Sequence, residues 1–229
     1  MVKDKLSNLT LIYPESWKSL VFVNETLDLF PELKIKVIPD GEHLFVKKLI
    51  MPEVKPWTPM FIPEQVFAVR NLLFDALKKK NKVSPFGKNI YISRKAAKRR
   101  KFTNEDKVEE LLSKFGFESV LMENYTFFEQ IAIMNNADNI TALTGAGLIN
   151  LMFKKEGGSF LDLTNKEYIH KSQYKFHFYK LCNILNIKYG VAFFEHENSP
   201  LADHYSNQNL LVDENLISKN LNLLLKNDR

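Results

Sequence analysis

The chain has almost no cysteine: Cys182 is the single one among 229 residues, so no disulfide forms within it. That thiol falls in a predicted helix, where a buried, inert side chain is expected. No uncharged apolar run approaches the roughly 20 residues needed to span a bilayer. Met1-Val2-Lys3-Asp4-Lys5 leads into no apolar signal segment. A cytoplasmic address is expected, with peripheral contact at the inner face of the plasma membrane left open. Metal-ligand patterns are missing as well. None of the histidines at 170, 177, 196 and 204 has a recognised ligand spacing, and no Asp-x-Asp occurs, so no metal is expected. There is no internal repeat, no low-complexity segment, and no zinc-finger or RNP motif that would mark a nucleic-acid reader.

What is present is an ordinary globular composition, 45% hydrophobic and 26% charged, in a length that buries one large core or two small ones. The net charge of +5 favours anionic ligands. Lysine and arginine are nevertheless spread along the whole chain, apart from one run at 94–101.

The first 80 residues read as part of an α/β unit. Leu9–Tyr13 alternates like a strand, Ser16–Phe30 has a rough helical period, and Lys34–Ile38 is a second strand ended by Pro39-Asp40-Gly41. Leu44–Met51 is apolar enough for a further strand. Pro52, Pro56, Pro59 and Pro63 then hold the chain extended until a helix begins near Pro63, where the missing N–H had no helical partner anyway. That helix runs to about Lys80. Residues 81–88, with Pro85 and Gly87, form the expected domain boundary.

From Asn89 the pattern is strand, basic loop, helix, strand, helix, strand, glycine turn, helix, strand. Asn89–Ser93 is too apolar to be exposed on both faces. The basic loop ends at Thr103, whose hydroxyl is expected to cap a helix starting at Asn104-Glu105-Asp106. Gly116 closes that helix. Phe117–Met122 is a strand, and Thr126 with Glu129 has capping-box spacing for a helix from Phe127 to Asn136. Asn139–Leu143 and Ser159–Leu163 are strands flanking a short helix from Ala146 to Phe153. Tyr168–Leu185 reads as helix, Lys188–Phe194 as strand, and Asp213 caps a last helix. Alternation without hairpin signals predicts an α/β fold with a parallel sheet covered on both faces. The expected division is 1–80, 88–208, and a strand and helix over 209–229.

Loops that follow successive parallel strands converge on one edge of the sheet, where ligands bind. Gly145-Ala146-Gly147, before Leu148 and Asn150, offers peptide N–H groups and close approach to a phosphate, although tight strand-to-helix turns need glycine for backbone reasons too. Ser93-Arg94 and the cluster Lys98, Arg99, Arg100 follow another strand end, and the planar guanidinium fork suits a diphosphate. The alternative is a solvated basic loop. Gln130 either reaches the ligand or faces solvent. Glu129 reads as a cap. Glu105 is a helix-start acid, or the partner that positions Arg94 or Arg100.

Tyr91-Ile92-Ser93-Arg94, Arg100 with Asn104-Glu105, Glu129-Gln130, Asn136-Ala137, Gly145-Ala146-Gly147-Leu148 with Asn150, and Phe160-Leu161-Asp162-Leu163 fall in an order and spacing that resembles glycosyltransferase family 61. Its bacterial members are often labelled capsular polysaccharide biosynthesis proteins. The resemblance is best over residues 88–164 and faint before 80.

It implies a GT-B-like α/β enzyme: a C-terminal Rossmann-like parallel-sheet domain that binds a nucleotide sugar, preceded by an incomplete, acceptor-side N-terminal α/β domain. The implied reaction is inverting, metal-independent and cofactor-free transfer to a glycan acceptor. Ser93, Arg94, Arg100, Asn104, Gln130, Thr144, Gly145, Ala146, Gly147, Leu148 and Asn150 would form the donor and diphosphate site. His43, after the strand ending at Ile38, and Glu105 are the candidate catalytic groups. Thr144 stands where members usually carry histidine, and no acceptor-side histidine motif occurs. A fragment, a partner-dependent protein or a degenerate enzyme is therefore expected, with self-association or a partner chain.

Two other classes remain. Gly145-x-Gly147 with Asp162 imitates the fingerprint of a dinucleotide- or adenosylmethionine-binding Rossmann protein. The basic run would suit a nonenzymatic nucleic-acid binder, which nothing else in the chain supports.

Overall fold

The computed structural model describes residues 9–51, 61–169, 177–197 and 208–225, without the side chains of residues 168 and 177. The chain divides into two compact units, residues 1–55 with Thr126–Phe128, and residues 56–125 with 129–229.

In the first unit, β1 (Thr10–Pro14) pairs in parallel with β2 (Lys34–Ile38), Thr10 opposite Lys34. Between them run a 3-10 turn (Glu15–Ser19) and α1 (Val21–Leu27). The continuous helix expected over 16–30 is broken at Leu20, whose backbone is extended. The Ser19 hydroxyl donates to the Ser16 carbonyl at 3.0 Å, the kind of local bond that competes with helix propagation. Leu44–Met51, expected as a strand, is irregular and exposed, with Phe45 fully in solvent. Alternation explains the correction: Lys47 and Lys48 would put one lysine on each face of a strand, leaving neither face apolar.

The second unit holds a five-stranded, all-parallel sheet in the order β4 (Glu118–Val120), β3 (Asn89–Ile92), β5 (Asn139–Leu143), β6 (Ser159–Asn165), β7 (Lys188–Phe194). Ile90 lies opposite Ile140, Ile140 opposite Phe160, and Phe160 opposite Tyr189. All seven residues of β6 are buried, as a central parallel strand requires. One core joins Tyr91, Leu161 and Leu163 of the sheet to Val108 and Leu112 of α3 (Glu105–Lys114) and to Ile217 and Leu221 of α6 (Glu214–Leu225). α4 (Phe127–Asn136) buries Ile131 and Met134, and α5 (His177–Ile184) buries Leu181 and Cys182.

The division of the chain differs from the expectation at both ends. α2 (Pro63–Lys80) belongs to the second unit, because the buried Arg70 guanidinium donates to the carbonyls of Met152 and Lys154, the latter at 2.7 Å. α6 is part of the same core and not an appendage, and Leu210 makes only isolated bridges to Phe102 and His196 where a strand was expected.

The helix-start cap also moves. Asn104 caps α3, accepting from the Lys107 N–H at 3.3 Å, while the Thr103 N–H donates to Leu210 at 2.9 Å. In the span expected as one helix over 168–185, a 3-10 turn (Lys166–Ile169) and α5 are described. Residues 170–176 lie outside the described residues, as do Pro52, Pro56, Pro59, His170 and His204. Among the described residues no helix is long and apolar enough to cross a membrane.

Candidate functional site

Counting strands from β3, the sheet order is 2-1-3-4-5, so the order reverses between β3 and β5. Connections leave a reversal point in opposite directions, which opens a crevice beyond the carboxyl ends of those two strands. Arg94 follows β3 and Gly145 follows β5, so the two loops singled out in the sequence flank this crevice.

The basic loop is held at both ends by one buried carboxylate. Glu105 Oε1 accepts from the Tyr91 hydroxyl at 2.6 Å, the Ser93 hydroxyl at 3.1 Å and the Arg94 N–H at 3.0 Å. Its Oε2 accepts from the Phe102 N–H at 3.2 Å. Residues 93–94 and residue 102 are thus tied to the first turn of α3, which fixes the start and finish of the loop. Glu105 positions Arg94 through the main chain; the side-chain ion pair considered from sequence is not how it acts. The Tyr91 hydroxyl is pushed well above its ordinary pKa by burial and then by the adjacent Glu105, so it remains a donor. Sequence reasoning quoted Tyr91 without giving it a role. Its signal was a phenol between two isoleucines of a strand.

Within the clamped loop, Arg94 Nε donates to the Arg100 carbonyl at 2.6 Å and Nη2 to the Arg99 carbonyl at 3.4 Å. Among the described residues no acceptor meets its Nη1, which faces Gly145. A Cβ at Gly145 would sit 3.0 Å from that nitrogen. A side chain here would crowd the guanidinium and push it back by a few tenths of an ångström, so the glycine eases its approach. Its backbone is extended, with φ −171°, so a left-handed conformation is not the reason.

Arg100 adopts φ 56°, an uncommon conformation for a side-chain-bearing residue, and its Nε–H is buried without a hydrogen-bond partner. Burial, then the neighbouring Arg100 charge, lowers the Arg94 pKa. Two neighbouring arginine charges, one with an orphaned N–H, leave hydrogen-bonding capacity of the kind that an anion takes up. Ala146 and Gly147 are exposed beside them, and the space where a Gly147 side chain would stand is open. They begin a 3-10 helix (Ala146–Phe153) that no side chain caps. Leu148 is buried and anchors that turn, its N–H donating to Gly145 at 3.0 Å.

The remaining candidates are engaged by the protein. Gln130 Nε2 donates to the carbonyls of Met122 at 2.9 Å and Tyr125 at 3.1 Å, and its Oε1 accepts from Asn150 Nδ2 at 2.9 Å. Neither alternative from sequence describes it; it bridges the loop after β4 to the glycine turn. Ser93 is buried, and its oxygen accepts from the Lys95 N–H at 3.2 Å. Glu129 pairs with Lys82 at 2.8 Å. Thr144 turns inward, its hydroxyl donating to Asp162.

Asp162 also accepts from the Tyr189 hydroxyl at 2.9 Å, and burial raises its pKa to about 6. It lies within β6, opposite Ala142 and Val191, and not at the strand end where a ribose-binding acid belongs. This removes the support that the dinucleotide fingerprint had. Burial pushes the Cys182 thiol to about 12, in line with an inert core residue. His43 is exposed in the first unit, after β2. Among the described residues no three His, Cys, Asp or Glu side chains gather as a metal site.

The family model described as Glycosyltransferase 61 matches residues 7–161. The match covers about two thirds of the chain and begins far ahead of residue 88, where the legible motifs start. No curated protein matches the chain.

Proposed function

The chain belongs to glycosyltransferase family 61 and is a glycosyltransferase, and from that premise we propose that it moves a sugar from a nucleoside diphosphate sugar to a glycan acceptor. The observation that carries this reading is the pair Arg94 and Arg100 at the sheet's reversal point, with Arg100 Nε unpartnered and Gly145 leaving room beside Arg94 Nη1. When the glycosidic bond breaks, negative charge builds on the leaving diphosphate. The fixed Arg94 guanidinium, the Arg100 charge beside it and the N–H groups of the glycine turn stabilise that charge where it develops.

In this reading the arginines take the part that a divalent cation has elsewhere, so the transfer is metal-independent. The acceptor hydroxyl attacks from the opposite face of the sugar and inverts the anomeric centre. Glu105, with four donors on its oxygens, acts as a positioning residue. Gln130 and Asn150 likewise set the glycine turn. The base is then sought elsewhere, and His43 is the candidate we carry forward. The reading extends to a GT-B-type enzyme working in the cytoplasm on cell-surface polysaccharide.

The test is calorimetry of the purified chain with UDP, CDP, GDP and ADP in excess EDTA, alongside NAD and adenosylmethionine. One nucleoside diphosphate is expected to bind without metal, and Arg94→Ala is expected to weaken it about tenfold or more. Binding of NAD or adenosylmethionine alone would reject the reading.

A further inference from the structure

The carboxyl edge of the sheet continues past the reversal point. At the ends of β6 and β7, beside the first turn of α6, there is a cavity of about 300 Å³. Its walls are mostly apolar, with Ile169, Phe193, Leu211 and Val212 among them, and its charged wall residues include Lys166 and Glu195, which form an ion pair. Every lining residue belongs to the second unit.

We infer that this cavity receives the nucleoside of the donor, the base among the apolar side chains and the ribose hydroxyls at the Glu195 carboxylate. The inference rests on the donor reading above. Three observations point the same way. The volume lies at the small end of ligand pockets, enough for a base and ribose but not for a whole nucleotide sugar.

The position follows from strand spacing: neighbouring strands lie about 4.8 Å apart, so the gap between β6 and β7 is only one to two spacings from the end of β5. A ligand whose diphosphate sits at Gly145 therefore reaches the cavity along one edge of one sheet. The chemistry excludes a second phosphate, because the Glu195 carboxylate would repel it and Lys166 is already paired. The α6 terminus is satisfied as well, its Leu216 N–H donating to Asp213 at 2.9 Å. A carboxylate over an apolar floor suits a neutral, flat group with hydroxyls at one end.

The experiment compares inorganic pyrophosphate with the tightest-binding nucleoside diphosphate on the wild type, Leu211→Trp, Glu195→Gln and Arg94→Ala. Leu211 is 45% exposed, so a larger ring fills the cavity without repacking the core. Leu211→Trp is expected to weaken the nucleoside diphosphate about tenfold and to leave pyrophosphate within about twofold. Glu195→Gln should weaken the ribonucleotide several-fold and its 2′,3′-dideoxy analogue hardly at all. Arg94→Ala should weaken both ligands.

In wild type, saturation transfer from protein to the base and ribose protons should be strong, and it should fall in Leu211→Trp. Unchanged nucleoside diphosphate affinity in Leu211→Trp, or equal loss of both ligands there, overturns the cavity assignment while the donor reading stands on its Arg94 dependence. Insensitivity of both ligands to Arg94→Ala overturns the donor reading and the cavity with it.

Discussion

The two units of the chain organise similar sequence material very differently. The first has a two-stranded sheet, and between residues 9 and 51 Tyr13 is the one buried hydrophobic, while Leu11, Ile35, Val21 and Phe22 are exposed. The second has five parallel strands, a central strand buried throughout, and a core that gathers residues from 91 to 221. A two-stranded pair has no interior of its own, whereas a central parallel strand is sheltered on both faces. The lesson is that the energy of the fold, and with it the fixing of the Arg94 loop, resides in the second unit.

The sharpest test of this contrast is truncation in each. Phe160, with no exposed surface in β6, is expected to cost about 3–5 kcal/mol on replacement by alanine. Ile35→Ala, at a side chain 45% exposed in β2, should cost less than about 1 kcal/mol. Chemical denaturation of both variants reads the difference. Equal losses would mean that the first unit has packing that its exposure does not show.

Polar groups should follow the same division. Glu105→Ala would leave the Tyr91 and Ser93 hydroxyls and the Arg94 and Phe102 amides without their acceptor, costing about 3 kcal/mol. It should also reduce nucleoside diphosphate binding, because both ends of the loop come loose. In the first unit Glu15 pairs with Lys18 at 3.2 Å on the surface, and Glu15→Ala should leave the unfolding midpoint unchanged. A Glu105 variant with native stability and native binding would dismiss the clamp.

The second unit was largely legible in sequence because parallel strands buried on both faces are continuous apolar runs, and α/β alternation is hard to mistake. Asn89–Ile92, Asn139–Leu143 and Lys188–Phe194 are strands at the predicted places. The fate of α2 was not legible. Besides its buried apolar face, it is tied to the second unit by Arg70 reaching carbonyls more than 80 residues away, which no local pattern encodes. Leu44–Met51 is apolar in content, but Lys47 and Lys48 break its alternation, and content alone does not make a strand.

At the site, residue types and their loops were readable, but partnerships were not. Nothing local says that Glu105 serves four donors, that Gln130 holds Asn150, or that Thr144 faces inward. Those depend on which strands are neighbours, and the reversal at β3 and β5 is a property of the assembled sheet.

Depth also makes the second unit's stability sensitive to pH. Asp162 has its pKa raised from 3.8 to about 6 by burial, against the hydrogen bonds from Thr144 and Tyr189. Between those values the unfolded chain has lost the proton and the folded chain keeps it, so stability falls as pH rises through this window. The full difference is about 3 kcal/mol. Asp162→Asn removes the titration and keeps the shape, so the variant should gain on the wild type from pH 4 to pH 6 and hold that advantage above. Parallel denaturation curves across this range check it, and a constant offset between the two proteins would show that Asp162 ionises as freely folded as unfolded.

The smallest effect tests the contrast at its finest scale, between two neighbouring cations of one loop. Arg94 is half-buried, fixed by two carbonyls of its own loop, with Nη1 turned toward the glycine turn. Lys95 is exposed and already paired with Asp106 and Glu109. A charge-assisted bond from a fixed guanidinium to a diphosphate contributes about 1.5–3 kcal/mol, or tenfold to hundredfold in affinity. Lys95 adds only a screened field, and its loss should change affinity by less than about threefold.

Salt separates the two further. The Lys95→Ala effect should vanish by about 0.5 M salt, where the screening length is only a few ångströms. The Arg94→Ala effect should largely persist, since contact distances lie inside that length. Calorimetric titration of both variants at low and high salt makes the comparison. If the two substitutions cost the same at low salt and both disappear at high salt, the loop is a diffuse positive surface, and the fixed guanidinium pair loses its role as the diphosphate site.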